Sequence, residues 1–277
     1  MRTTSDNQKR IIYILTVIAL ALGISQVLML RELANRPARE EPKPKIVEEE
    51  PKIPEVSRGT VAIIIDDFGY RNDAVSERFL KLDADLTYAV IPGHEHSRSF
   101  SSKAEEEGYE VIIHMPLESR YKTKGEREYI LETNMTSAEL ESRINKVLDH
   151  LPEAVGMNNH QGSKASEDSR VMGILATLLK SSGKYFIDSR TTTGTVAELT
   201  MRNYGVPTNR RHVFLDNQDD ADMIKIQLEE LFDKAETMGT AIGIGHAKLN
   251  TIAVLEEEIP KRKAQGFDFV FASEVAN

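Results

Sequence analysis

Six short apolar runs in this chain each stop at an acid, a histidine or a polar cluster containing one, and that repetition constrains the fold more than any other feature. They are Val61–Ile65 into Asp66-Asp67, Val111–Ile113 into His114, and Ala154–Met157 into Asn158-Asn159-His160. The other three are Tyr185–Ile187 into Asp188, Val213–Leu215 into Asp216, and Ala241–Gly245 into His246. Unbroken apolar runs separated by helix-like stretches read as parallel strands buried on both faces. In parallel α/β folds the carboxyl ends of the strands carry the site. Six polar or ionisable strand ends on one rim therefore point to metal-dependent hydrolysis.

From about Arg58 to Asn277 strand-like and helix-like stretches alternate. Strands are expected over 60–66, 86–91, 109–114, 154–159, 184–188, 211–215, 240–246 and 267–272. Helices are expected near 73–82, 97–107, 136–151, 168–182, 195–204, 219–238 and 251–265. Thr136-Ser137-Ala138-Glu139 has capping-box spacing, and Leu140, Ile144, Val147, Leu148 and Leu151 form one apolar face behind it. Pro260 is expected to kink or end the last helix. The pattern predicts an α/β fold, a distorted (β/α) barrel of about seven to eight parallel strands. A doubly wound open sheet is the alternative, but that fold usually carries a glycine-rich phosphate turn, which Ile65-Asp66-Asp67-Phe68-Gly69 is not.

Two segments precede this region. Ile11 to Leu30 contains no charged residue and is long enough to span a bilayer as a helix. Arg2, Lys9 and Arg10 come before it, so the positive-inside rule keeps the N-terminus cytoplasmic and the bulk of the chain outside. A cleaved signal peptide ending near Ala19-Leu20-Ala21 is the rival reading, which would make the protein secreted, but apolar residues continue well past that point. Residues 34–57 are rich in Pro, Glu, Lys and Arg, as in a solvated spacer. The organisation expected is a cytoplasmic stub and signal anchor over 1–33, a linker over 34–57 and a barrel domain over 58–277. A net charge of −9 argues against a nucleic-acid partner, because nothing supplies a basic stripe. The absence of cysteine excludes disulfides, thiolate metal sites and cysteine nucleophiles.

The strand ends supply the candidate chemistry. Asp66 and Asp67 are adjacent, and side chains alternate along a strand, so both serve one site only where the strand breaks. There one can bind a metal while the other accepts a proton. His114 and His160 join Asp67 in a His, His, carboxylate set that suits zinc or a related divalent ion and leaves positions for water and substrate. His246, near the metal but not on it, suits general acid work because its pKa lies near neutrality. The glycines of Ile242-Gly243-Ile244-Gly245 would let backbone or ligand come close to that strand. Asp188 would fix the tautomer of His246 by accepting its hydrogen bond, and Arg190 could instead pair with Asp66 and hold it ionised. Asp219-Asp220 is explained by helix capping. His94-Glu95-His96 reads mainly as a solvated loop, and His150 and His212 as structural.

Ile65-Asp66-Asp67-Phe68-Gly69, Ile113-His114-Met115-Pro116-Leu117-Glu118, Asn158-Asn159-His160-Gln161-Gly162-Ser163, Phe186-Ile187-Asp188-Ser189 and Gly245-His246 together resemble the motifs of the divergent polysaccharide deacetylases. The resemblance covers about 58–277 and implies a distorted barrel with a divalent metal. It implies Asp66 as general base, Asp67 as metal-ligating acid, His114 as the first metal histidine and His246 as general acid. The wider family has its second metal histidine a few residues after the first, where this chain has Met115-Pro116-Leu117-Glu118-Ser119-Arg120. His160 takes that role here, on the neighbouring strand end. An arginine motif of the wider family is also missing, with Arg190 as the candidate substitute.

The function expected is extracytoplasmic hydrolysis of N-acetyl groups on an amino-sugar envelope glycan, with the membrane engaged through the N-terminal helix. The same metal chemistry on another amide or ester is open. So is a non-catalytic module of the same fold that binds glycan or an envelope protein.

Overall fold

The computed structural model describes residues 3–35, 57–121 and 126–277; the expected linker falls, from 36 to 56, outside them. The chain divides into two units, one holding an N-terminal helix and the other running Pro54–Asn277. Helix α1 (Thr3–Ala34) contains the stretch Gln8–Ala34, with mean hydropathy 2.4, long and apolar enough to cross a membrane or to act as a signal sequence.

The second unit alternates strands and helices. Its strands are β1 (Gly59–Phe68), β2 (Thr87–Val90), β3 (Glu110–Leu117), β4 (Gly156–Gln161), β5 (Tyr185–Asp188), β6 (Thr208–Arg210), β7 (Val213–Phe214), β8 (Thr240–His246) and β9 (Phe267–Phe269). Its helices are α2 (Ala74–Phe79), α3 (Ser97–Glu106), α4 (Ser137–His150), α5 (Ser169–Ser181), α6 (Ala197–Tyr204), α7 (Ala221–Met238) and α8 (Leu249–Ala264). Every ladder is parallel, in the order β6-β5-β4-β3-β2-β1-β8-β7, with β9 added to the first residues of β1. The result is the expected distorted barrel, a curled parallel half-barrel.

Strand alternation sorts the buried residues into two cores. Val61, Ile63 and Ile65 of β1 pack in one cluster with Leu231 and Phe232 of α7. Ala62 and Ile64 face the other way, into a barrel interior shared with Ala89, Ile112, Ile187, Ile242 and Ile244. Ala272 and Val275 belong to that inner cluster, from a 3-10 turn that replaces the end of the expected strand 267–272. Both strand faces are thus apolar, which is why the runs read as continuous rather than alternating.

The expected strand 211–215 is instead two short strands. β6 pairs with β5 and β7 pairs with β8, and no ladder joins β6 to β7. Arg211 and His212 cross that seam: the Arg211 amide donates to Asp188 O at 2.9 Å and the His212 amide to Ile242 O at 2.8 Å. The two edges of the sheet are thus bridged by the chain itself, without a ladder. In α4 the predicted capping box forms, with Thr136 Oγ1 accepting from the Glu139 amide and Glu139 Oε2 from the Thr136 amide. Pro260 does not end the last helix; it lies inside α8. Pro260 and Glu256 are both exposed, so the carbonyl that loses its helical partner is left to water.

Candidate metal centre and catalytic residues

The inward parity of each strand decides what reaches the rim. Asp66 continues the inward series Ala62, Ile64; His114 follows Ile112; His246 follows Ile242 and Ile244. In β4, Asn158 and His160 continue the series from Gly156. Register then aligns them, with Asp66 opposite His246 across β1 and β8, and His114 opposite Asn158 across β3 and β4.

Asp67 has the wrong parity and is redirected by a break in the β1–β2 register between Ile65 and Phe68, where it adopts φ +70°. A left-handed conformation is tolerated by Asp better than by most residues, and a bulge of this kind re-aims a side chain. Both acids therefore reach one site, as the sequence required. Gly69 follows at φ +113°, where a Cβ would lie 2.8 Å from Ser97 Oγ and 3.0 Å from Ile91 O.

Three donor atoms converge. His114 Nε2 lies 3.0 Å from His160 Nδ1 and 3.4 Å from Asp67 Oδ1, and His160 Nδ1 lies 3.2 Å from Asp67 Oδ1. Asp67 Oδ1 is buried within reach of both imidazoles yet accepts no well-aligned hydrogen bond from either. An orphaned buried carboxylate oxygen facing two imidazole nitrogens could hold a divalent ion, and the residue types are ones that suit zinc among others. Burial works to raise the pKa of Asp67, but attraction from His114 and His160 wins and pulls it far below the usual carboxylate range. Burial likewise opposes the charge on His114, and Asp66 and Asp67 overcome it, raising that pKa to about 9.

Asn158 orients both sides of this centre. Its Nδ2 donates to Asp66 Oδ1 at 2.7 Å, and its Oδ1 lies 2.6 Å from His114 Nδ1. A carboxylate only accepts, so the amide must turn its nitrogen to Asp66 and its oxygen to His114. His114 then carries its proton on Nδ1 and offers Nε2 to a metal. Asp66 is 3% exposed, its Oδ2 lies 3.6 Å from His114 Nε2, and burial raises its pKa.

His246 is held by Asp216 rather than by Asp188. Its Nδ1 donates to Asp216 Oδ1 at 2.8 Å, and its amide and Thr251 Oγ1 both donate to Asp216 Oδ2 at 2.9 Å. Parity explains the difference: Asp188 lies on the same side of β5 as Phe186 of the outer core, whereas Ile187 faces inward. Asp188 accepts instead from the Arg190 amide at 2.8 Å and from Thr195 Oγ1 at 2.9 Å, fixing its own loop. Asp216 lies one residue beyond Leu215 of the outer core, on the inward series. Burial lowers the pKa of His246, but Asp216, Asp66 and Asp67 outweigh it and raise the pKa overall.

The expected pairing of Arg190 with Asp66 is not found, since Asp66 Oδ1 is taken by Asn158. Burial lowers the pKa of Arg211, the guanidinium near enough to Asp66 and Asp188 for both to favour its charged form. The glycines of β8 serve packing rather than a ligand: a Cβ on Gly243 would lie 2.8 Å from Leu231 Cδ2, and one on Gly245 3.3 Å from Thr251 Cγ2. His94 joins neither metal nor acid cluster; its Nε2 lies 3.0 Å from Glu126 Oε1, which also accepts from Tyr70 OH at 2.5 Å. His150 and His212 accept backbone amides of Gly93 and Ile242, as structural groups do. Asp220 caps α7.

A cleft of about 420 Å³ opens beside these residues, lined among others by Asp66, His114, His160, Arg190, Arg211 and His246. Sequence reasoning had given no role to Asn158, Asp216 or Arg211. The signal for Asp216 was present, because it ends an apolar run just as the other acids do.

Comparison with known proteins agrees with the motif resemblance. A family model described as divergent polysaccharide deacetylase matches residues 63–276. An uncharacterized protein of Haemophilus influenzae is 34% identical over 202 residues, covering 72% of this chain and 71% of that protein. YibQ of Escherichia coli, also uncharacterized, is 35% identical over 204 residues, covering 74% of this chain and 63% of its own length. The crystal structure of an uncharacterized protein from Agrobacterium tumefaciens is similar in fold, with a TM-score of 0.75 at 18% identity over 80% of this chain and 90% of that one. With the matched span covering most of its length, this chain belongs to the divergent polysaccharide deacetylase family.

Proposed function

We propose that this protein is a metal-dependent amide hydrolase that removes N-acetyl groups from an amino-sugar polymer of the cell envelope. Arg2, Lys9 and Arg10 ahead of the apolar stretch 11–30 support a cytoplasmic N-terminus with the barrel outside, and the continuation of that stretch past Ala21 supports an uncleaved anchor. The observation that carries the reading is the convergence of Asp67 Oδ1, His114 Nε2 and His160 Nδ1, flanked by one buried acid and one acid-held histidine.

Asp67, His114 and His160 would hold the ion, which supplies Lewis-acid activation of water and polarisation of the amide carbonyl. Asp66 takes the proton of the attacking water. Its burial makes it a stronger base than an exposed carboxylate, and Asn158 keeps it from rotating away. His246 delivers a proton to the departing nitrogen, without which the leaving group would be an amide anion. Its Nδ1 proton is committed to Asp216, so the proton delivered comes from Nε2, which lies 4.0 Å from Asp67 Oδ2. Asp188 and Arg190 act on this chemistry through the loop they build at the wall of the cleft.

Two measurements test the reading. Elemental analysis of the purified full chain should find about one zinc or similar ion per molecule, lost in both His114→Ala and His160→Ala. Asp66→Asn should keep the ion and lower acetate release from an N-acetylated glycan by about 10²–10⁴-fold. Undiminished release by that variant would remove Asp66 as the base; a wild type that takes up no metal would leave a glycan-binding module.

A further inference from the structure

The cleft beside the metal centre has two arginines in its wall, in a chain whose net charge is −9. Arg211, at the barrel seam, is fixed in place. Its Nε donates to Ser189 O at 2.7 Å, its Nη2 to Arg190 O at 3.0 Å, and its Cζ stands 4.6 Å over the Phe214 ring. These are contacts to neutral groups, so they orient the guanidinium without neutralising it. Arg190 sits at φ +49°, uncommon for a residue with a Cβ. It is kept there by Asp188 Oδ1 on its amide and by Arg211 on its carbonyl. Asn159 Oδ1 braces the same loop by accepting the Ser189 amide at 2.9 Å.

Among the described residues, no carboxylate comes within ion-pair distance of either guanidinium. Asp66 and Asp67 are paired toward His114, and Asp216 toward His246 and Lys248. Burial disfavours the charge on Arg211; Asp66 and Asp188 favour it from beyond ion-pair distance, and the charge on Arg190 works against it. Both arginines line the same cleft, and neither guanidinium is matched there by an ion-paired acid. Guanidinium forks match carboxylate and phosphate oxygens in geometry as well as charge.

We infer that Arg190 and Arg211 form a receptor for an oxyanion carried by the substrate, so that the site takes an N-acetylated glycan bearing a carboxylate or phosphate close to the acetamide rather than a neutral polymer. The acetamide part rests on the deacetylase reading; the anion part rests on the arginine pair alone.

Binding to the full chain in detergent, with chelator present so that no ligand is turned over, tests it. The carboxylate arm compares a hyaluronan tetrasaccharide with neutral chitotetraose. The phosphate arm compares N-acetylglucosamine 6-phosphate with N-acetylglucosamine. One arm should show the anionic ligand binding about tenfold tighter at low salt, with the margin shrinking as salt rises. Arg190→Gln should lose that preference, while Arg190→Lys, which keeps the charge but not the fork, should retain part of it; circular dichroism checks that each variant is folded. Equal binding of anionic and neutral ligands in both arms would overturn the inference, as would a preference that survives in Arg190→Gln. Acetate release by the zinc-loaded wild type, measured separately, tests the deacetylase reading. Its failure would leave an arginine-dependent anion preference standing.

Discussion

Replacing Asp216 with Asn should lower the pKa of His246, because the imidazolium loses about 1.5–3 kcal/mol of stabilisation. The contact at stake is the 2.8 Å hydrogen bond from His246 Nδ1 to Asp216 Oδ1, made by a carboxylate that is 0% exposed. About 1.5–3 kcal/mol is the contribution of a hydrogen bond to a charged group, and the substitution removes it from the protonated form of the ring. Asn is the right probe because its single oxygen can keep accepting from the His246 amide and Thr251 Oγ1, which alanine would orphan, while its amide nitrogen, a donor, replaces the acceptor at Nδ1. Ring-nitrogen NMR of the metal-free full chain reads the titration directly. In turnover, the alkaline limb of the kcat/KM profile should move down by the same amount, because the proton donor is lost earlier. The stability effect has a definite sign. His246 has its pKa raised by folding, so its contribution is full below the unfolded value of about 6.5 and fades as pH rises through the folded value. Asp216 has its pKa lowered, so the same contact is also lost as pH falls below about 3.9 and through the folded value. An unchanged His246 titration in Asp216→Asn would refute the assignment of Asp216 as its partner.

Three further outcomes are expected. Asn158→Ala leaves Asp66 Oδ1 and His114 Nδ1 without their partner, so zinc affinity should fall about 10–100-fold and stability by about 1–3 kcal/mol; chelator competition and thermal melts measure the two, and wild-type values would exclude a bridging role. Metal uptake should strengthen with pH, because an ion on His114 Nε2 displaces a proton from a group whose pKa is raised to about 9. A slope near tenfold per pH unit below that value is expected from one displaced proton, and a flat profile across neutrality would contradict it. Gly243→Ala puts a Cβ 2.8 Å from Leu231 Cδ2 and 3.2 Å from Leu215 Cδ2 on the outer face of β8. It should cost about 1–3 kcal/mol of overpacking and lower the melting temperature by about 2–4 °C per kcal/mol, with acetate release per folded molecule unchanged; a loss of release without loss of stability would mean that the glycine serves the cleft.

How much of this was legible before the structure depends on parity. The apolar runs revealed the strands because both faces of each are buried, and the same continuity concealed which residues face inward. In β1, β3 and β8 the polar residue at the end happens to continue the inward series, so Asp66, His114 and His246 face one side of the sheet, as reading the run ends alone expects. In β5 the series runs through Ile187, and Asp188 falls on the outer side although it ends its run just as Asp66 does. Asp216 is the converse case. The sequence pattern predicts one strand over 211–215, whereas the chain spends 211–212 crossing the seam, and only β7 sets its direction. Asn158 was undetectable from one strand alone, because its role exists only where β4 meets β3 and β1 offers Asp66 to the same amide. Asp67 is the instructive exception. Adjacent acids on a regular strand cannot share a site, so the pair Asp66-Asp67 implied a break, and the break is there at φ +70°. A local sequence conflict, two neighbouring acids with opposite parity, was thus more informative about the site than any single motif residue, because only a departure from regular strand geometry could resolve it.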